Sequence, residues 1–364
     1  MDQDLQRRVQ QLIDGLVESG EEVGLQVAAY VDGTLVVDAW AGVADEVTGR
    51  PVDGDTLFTS WSTTKGFVAT CLHILADRGR VAYDAPVARY WPEFAANGKQ
   101  AVTVRHALTH TAGIPYLPDG VTPEMMTDWE AMCSAIARHA PLWPPGTMPA
   151  YHAWTFGWII GEIVRRVDGC PIAQFAQEEL CRPLGIQDFY LGIPDAVEAR
   201  IAPLHQDARH LARSAQLDDL GRRVMPPHVT SAAFVNRPDV RRASIPGGGG
   251  IMNARAIARH YAMLAGYGML DGVRILSPER IDIIRASRGD WLGYMRGGRG
   301  GVLAMGRSGG AFGHSGNGGS LGFADPERKL SFGLTKNLMK AADDPAQETA
   351  YLVAETIRQH LDAV

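Results

Sequence analysis

Apolar residues in the first twenty positions fall at Leu5, Val9, Leu12, Ile13, Leu16 and Val17, with charged and amide side chains between them. That spacing predicts an amphipathic helix. The pattern then changes in GLQVAAYVDGTLVVDAWAGVAD (residues 24–45), where two β-rich runs flank an Asp-Gly pair and predict a hairpin. From residue 58 the chain reads FTSWSTTKGFVATCLHILADRG: a polar cluster, then a segment apolar on every face. A buried helix is expected over 62–79, ending near Gly79. Between about 80 and 240, helical patterns such as TFGWIIGEIVRRVDG are broken by Pro-rich loops such as LWPPGTMPAY. PGGGGIMNARAIARHYAML predicts a further helix entered through its glycines. Strand patterns return in AFGHSGNGGSLGFADPERKLSFGLTKNLM, with turns at Gly-Asn-Gly-Gly and Asp-Pro, and AQETAYLVAETIRQHLDA predicts a last helix.

This order suggests an α+β chain with a mixed sheet assembled from both ends and a helical insertion between them. The expected division is an α/β domain from 1–80 and 245–364, and a predominantly α-helical domain from 81–244. At 364 residues and 46% hydrophobic, the chain is long enough for more than one core. A net charge of −6 without any Lys/Arg block argues against nucleic acid or an anionic membrane surface as partner. The four cysteines contain no CxxC pair, which removes the zinc-knuckle and thioredoxin-like readings and fits free thiols in a reducing compartment. No apolar h-region follows the N-terminal charges, and no apolar run approaches the ~18 residues that span a bilayer. The expectation is a cytoplasmic protein.

Lysine is scarce, five of 35 basic residues, and only Lys65 has a serine three places before it, Ser62. Residues three apart share a helix face, so Ser62 Oγ and Lys65 Nζ can approach hydrogen-bond distance. The bland alternative is an N-cap serine with a solvated lysine one turn later. The apolar GFVATCLHIL that follows argues for an interior helix, and burial lowers the pKa of a lysine. Moving it from about 10.4 to near neutral costs on the order of 4 kcal/mol. A deprotonated amine beside a hydroxyl makes serine a nucleophile without histidine.

Ser62-Thr63-Thr64-Lys65 resembles the Ser-x-x-Lys motif of the serine β-lactamase and penicillin-binding-protein superfamily. VRHALTHTAGIP (104–115), WPPGTMPAYHAWTFGWIIGEIVRRVDG, GGGGIMNARAIARHYAML and FGHSGNGGSLGFADPERKLSFGLTKN follow in the order of its class C branch and the related family VIII carboxylesterases. The resemblance implies a central antiparallel sheet flanked by helices, an inserted all-α domain and a site in the cleft between them. It implies Ser62 as nucleophile, Lys65 as general base and Tyr151 as the group that assists proton transfer to and from the leaving group. His314-Ser315-Gly316 stands where the family carries Lys-Thr-Gly, and the backbone N–H groups of Ser62 and Asn317 would form the oxyanion hole.

Two departures shape the expected substrate. The second motif reads Tyr151-His152-Ala153, so the family's Tyr-x-Asn amide is missing, and His314 replaces a lysine. A histidine there is expected to be neutral at pH 7 and still to donate a hydrogen bond. Both changes resemble the esterase branch. The expected reaction is therefore hydrolysis of a carboxylic ester through an acyl-enzyme, on a small-molecule ester or amide, with no metal and no organic cofactor. No class-A-like deacylating glutamate motif is visible, which leaves water activation to Tyr151 and Lys65. A β-lactamase, an amide or D-amino peptide hydrolase, and an acyltransferase use the same machinery and remain alternatives.

Other motifs point elsewhere or nowhere. GRSGG (306–310) fits Gly-x-Ser-x-Gly, but its glycine-rich continuation cannot form the helix a nucleophile elbow needs, so Ser308 reads as loop. His106 and His110 are four apart without a Glu in the HExxH sense, a poor metal motif. The glycines at 247–250 lack Gly-x-Gly-x-x-Gly spacing. Trp61, Tyr116, Trp129, Trp154 and Phe156 lie near the motifs and are candidates for an acyl pocket, or for core.

Overall fold

The computed structural model describes residues 2–286, 292–298, 302–306 and 309–363. Helix α1 (Gln3–Glu18) leads into β1 (Gly24–Val31) and β2 (Thr34–Asp45). Asp32 and Gly33 both have positive φ, 48° and 75°, as a two-residue hairpin turn of this hand requires. Short strands β3 (Arg50–Pro51) and β4 (Leu57–Thr59) precede a 3₁₀ turn at Trp61–Thr63 and helix α2 (Thr64–Asp77). Every residue of α2 from Thr64 to Ala76 is buried, as its uniform apolarity predicts.

Helices α3 (Val104–Leu108), α4 (Trp129–Arg138) and α5 (Thr155–Asp168) follow, α5 ending on Gly169 at φ 93°. The middle of the chain also holds β5 (Phe189–Leu191), β6 (Ile201–Ala202) and β7 (His205–Gln206), then a helix at Ala208–Ala215. The glycines 247–250 do not enter a helix directly. They lead into β8 (Gly250–Met252), and Asn253 then caps the helix Ala254–Ala265 by accepting from Ala256 N–H. Strands β9 (Met269–Leu270) and β10 (Val273–Arg274) form a separate hairpin. The chain closes with β11 (Met295–Arg296), β12 (Phe312–Ser315), β13 (Leu321–Asp325), β14 (Leu330–Lys336), β15 (Leu338–Met339) and the helix Thr349–Ala363.

The main sheet has the order β11-β12-β13-β14-β1-β2-β3, built from both ends of the chain. It is antiparallel throughout rather than mixed; parallel pairing is confined to β4–β6 and β7–β15. Side chains alternate across it. Leu25, Val27 and Ala29 face α1 and the C-terminal helix, with Leu5, Val9, Val353 and Ile357, while Ala28 and Tyr30 face the larger core that contains α2. Gly322 and Gly333 pair across β13 and β14. A Cβ on Gly333 would lie 2.5 Å from the Ala254 carbonyl, so these glycines let the helix 254–265 press flat on the sheet. A smaller sheet, β5-β8-β4-β6, packs beside α2. Among the described residues no helix is long and apolar enough to cross a membrane.

Candidate active site

Ser62 lies in the 3₁₀ turn that feeds α2, one residue after Trp61, whose φ is 45°. A left-handed aromatic residue is strained, and such strain persists only where the surroundings over-determine it. Here they do. Ser60 N–H donates to Gly250 O at 2.9 Å, Gly250 N–H donates to Thr64 Oγ1 at 3.0 Å, and Thr64 Oγ1 bonds the Trp61 carbonyl. Thr63 Oγ1 and Ser320 Oγ are 3.1 Å apart, and Ser320 Oγ donates to the Ser60 carbonyl at 2.8 Å. The hydroxyl cluster of the sequence is the polar frame that ties the Ser62 turn to β8 and to the loop after β12.

Lys65 is fully buried, and its Nζ lies 2.9 Å from Ser62 Oγ. It also bonds the carbonyls of Ala153, at 2.7 Å, and Gly247. No carboxylate pairs with it among the described residues, and burial holds its pKa well below the ordinary lysine value. A neutral amine with two carbonyl acceptors can give each an N–H and keep its lone pair for the Ser62 proton. The ring of half-buried Tyr151 lies 5.0 Å from Lys65 Nζ.

Three buried histidines complete the surroundings. His314 packs 6.2 Å from the Tyr151 ring. Burial, then the neighbouring Lys65, push its pKa down to about 3, so it is neutral at pH 7 as expected. It still donates a hydrogen bond, from Nδ1–H to the Ser315 carbonyl 2.7 Å away, which leaves Nε2 as the acceptor. His152 donates from Nδ1 to Ala150 O at 2.6 Å and accepts the Ile114 N–H on Nε2 at 3.2 Å. Burial lowers its pKa to about 4. His110 accepts the His152 N–H on Nδ1 at 3.1 Å, whereas His106 closes a capping box with Thr103. The two histidines thus bond different partners.

The third motif runs along the end of β12, bringing Ser315 and Gly316 to the Ser62 turn: a Cβ on Gly316 would lie 2.4 Å from the Ser60 carbonyl. Asn317 Oδ1 accepts from His210 Nε2 at 2.9 Å, and His210 Nδ1 accepts from Gln206 Nε2 at 3.2 Å. The helix 208–215 therefore holds the Asn317 side chain, which nothing in the sequence pattern signalled. Gly247 was equally unsignalled as a Lys65 partner, although its glycine tract was visible. A Cβ on Gly157 would lie 2.0 Å from Gly247 N, so the approach of α5 to the turn before β8 depends on glycine.

A cavity of about 330 Å³ is walled by Ser315, Gly316 and Asn317 together with His210, Arg213 and Lys340. A second, also about 330 Å³, is walled by His110, Pro149, Ala150, Tyr151, Tyr294 and Met295. The candidate acyl-pocket aromatics are packed otherwise. Trp61, Tyr116, Trp154 and Phe156 are buried, with Trp61 against Trp154 at 6.1 Å and Phe156 against His110 at 5.2 Å. Tyr116 packs edge-on to His139, and Trp129 donates its indole N–H to the buried Glu162 at 2.9 Å. Ser308 lies outside the described residues.

Comparison with known proteins identifies the fold and the family. The β-lactamase family model matches residues 9–356. The esterase/β-lactamase LipL of Mycobacterium tuberculosis is 37% identical over 340 residues, covering 86% of this chain and 77% of LipL. The crystal structure of a family VIII carboxylesterase superposes with a TM-score of 0.85 at 36% identity, covering 96% of this chain and 97% of the other. A penicillin-binding-protein homologue from Caulobacter crescentus gives 0.87 at 34% identity, with 97% of each chain covered. With residues 9–356 matched by the family model and 96% of its length superposed on a family VIII carboxylesterase, this chain belongs to the β-lactamase family of serine hydrolases.

Proposed function

We propose that the chain hydrolyses carboxylic esters through an acyl-enzyme on Ser62. The observation that carries this reading is the buried amine of Lys65, 2.9 Å from Ser62 Oγ and unpaired with any carboxylate among the described residues. Lys65 takes the Ser62 proton as Oγ attacks the ester carbonyl. The oxyanion forms against the backbone N–H groups of Ser62 and Asn317. Tyr151, beside Lys65, passes a proton to the departing alkoxide, and the same pair then activates the water that releases the acid. Lys65 and Tyr151 act as a coupled unit, so their protons belong to the pair.

The ends of the chain, 1–80 and 245–364, supply Ser62, Lys65 and the 314–317 segment, while 81–244 supplies Tyr151. We place the substrate in the cleft between these two domains. Ester is favoured over β-lactam because neutral His314 offers no cation to a substrate carboxylate and Ala153 offers no side-chain amide. β-Lactam hydrolysis is kept as the second reading because the name of the 37% identical relative covers both activities.

The test is turnover of p-nitrophenyl acetate and butyrate beside a chromogenic cephalosporin, by the wild type and Ser62→Ala. The expected outcome is ester turnover that disappears with Ser62 while the cephalosporin stays nearly intact. Fast Ser62-dependent cephalosporin turnover would move the protein to the second reading, and no Ser62-dependent turnover of either would overturn both.

A further inference from the structure

We propose that His110 is the positioning residue that sets Tyr151 for proton transfer to the leaving group. The inference rests on the role given to Tyr151 above and adds what holds that tyrosine in place.

His110 follows α3 with φ at 57°, a left-handed backbone that a bulky side chain adopts only under constraint. The consequence is that its carbonyl and its ring both meet the segment carrying Tyr151. Ala150 N–H donates to the His110 carbonyl at 3.0 Å, and His152 N–H donates to His110 Nδ1 at 3.1 Å. Residues 150 and 152 flank Tyr151, so one residue anchors the peptide on both sides of it. The His110 ring lies 4.9 Å from the Tyr151 ring, tilted by 56°, and its own position is fixed by Phe156 at 5.2 Å. A tyrosine on the loop between Pro149 and α5 is thereby given the fixed setting that a proton-transfer group needs.

The ring can do this only when neutral. Nδ1 accepts from His152, so the ring proton sits on Nε2; a second proton on Nδ1 would face the His152 N–H. Burial, with His152, Lys65 and His314 as the bases around it, keeps His110 below its ordinary pKa. Sequence alone placed this histidine in a turn and gave it no contact with the second motif.

Two variants separate positioning from bulk support. His110→Asn tolerates the left-handed backbone and keeps an acceptor near the Nδ1 position. His110→Gly also tolerates it and keeps the carbonyl bond to Ala150, but removes the ring acceptor. If the glycine variant does not fold, His110→Gln replaces it, since its amide sits at the place of Nε2 and leaves Nδ1 empty. Each is assayed, with kcat and KM resolved, on ethyl butyrate and p-nitrophenyl butyrate. The alkoxide must be protonated as it leaves, whereas p-nitrophenolate need not be.

The expected result for His110→Gly, or its substitute, is a fall of ~100-fold in kcat/KM, which reads acylation alone because both esters form the same butyryl-enzyme, on the ethyl ester and of less than ~10-fold on the nitrophenyl ester. His110→Asn should restore the ratio of the two rates to within about threefold of wild type. Equal losses on both esters, or an asparagine variant no better than the glycine one, would overturn the proposal. Tyr151→Phe is the control. If it leaves the ratio unchanged, the role of Tyr151 itself falls; if it shifts the ratio and His110→Gly does not, only the positioning role falls.

Discussion

Lys65 and Lys99 are both fully buried, and each amine lies within hydrogen-bond distance of three oxygens, yet they sit in opposite electrostatic settings. Lys99 bonds the carbonyls of Ala96, Ala137 and His139, the last two at the C-terminal end of α4. A cation belongs there, where unpaired carbonyls and the negative end of the helix dipole meet. Burial lowers its pKa only to about 8, so it is charged at neutral pH. Lys65 is the second residue of α2, at the positive end of a helix, and one of its three oxygen neighbours is the Ser62 hydroxyl. The dipole there opposes an ammonium and adds to desolvation. Burial does not by itself distinguish the lysine proposed as general base; the end of the helix it occupies and the hydroxyl within reach do.

The sharpest way to break this comparison is to remove each amine. Lys65→Met is expected to lower kcat on p-nitrophenyl butyrate on the order of 10³-fold or more, as loss of a nucleophile's base does. Lys99→Met is expected to leave kcat within about threefold and to destabilise the chain by about 2–3 kcal/mol, because three carbonyls lose their donor. Turnover and thermal unfolding of the two variants read both effects. A Lys99→Met protein of wild-type stability would sink the structural role given to it.

A second, intermediate effect comes from pH. His152 and His314 titrate near 4 and 3 when folded, against 6.5 for an unperturbed histidine. Between those limits the unfolded chain binds more protons than the folded one, so stability rises with pH across the window. Thermal unfolding should show full stability above pH 6.5 and a fall on acidification towards 3. Lys65 has the same sign: kcat/KM should climb as its amine loses a proton and level off well below pH 10.5. The Lys99→Met profile of kcat/KM should superimpose on that of the wild type. A shift in it would mean that the two lysines are coupled.

The smallest expected effect concerns the other half of the machinery. His210→Ala frees the Asn317 side chain, whose backbone N–H is the proposed second oxyanion donor, and should lower kcat by ~10-fold with the melting temperature little changed. An unchanged kcat would confine His210 to packing.

Local sequence was enough for several features. The Asp32-Gly33 turn, the buried helix α2 and the 62/65 spacing are settled by residues within a turn of one another, and the structure has each. The order of three spaced motifs carried the family, because each holds a short run of residue types that the chemistry requires. What tertiary structure decided are the partners that arrive from far along the chain. Lys65 reaches carbonyls 88 and 182 residues away, and His210 bonds Asn317 across 107 residues. His110 bonds the N–H groups on either side of Tyr151. Backbone carbonyls and N–H groups look alike at every position in a sequence, so no pattern of side chains marks which will line a site. The same reason hid the burial of Lys99, whose acceptors exist only once α4 has ended beside it. Residue type and spacing determined which chemistry this protein can perform; the packing of distant backbone against Lys65 and Tyr151 decided where that chemistry is held.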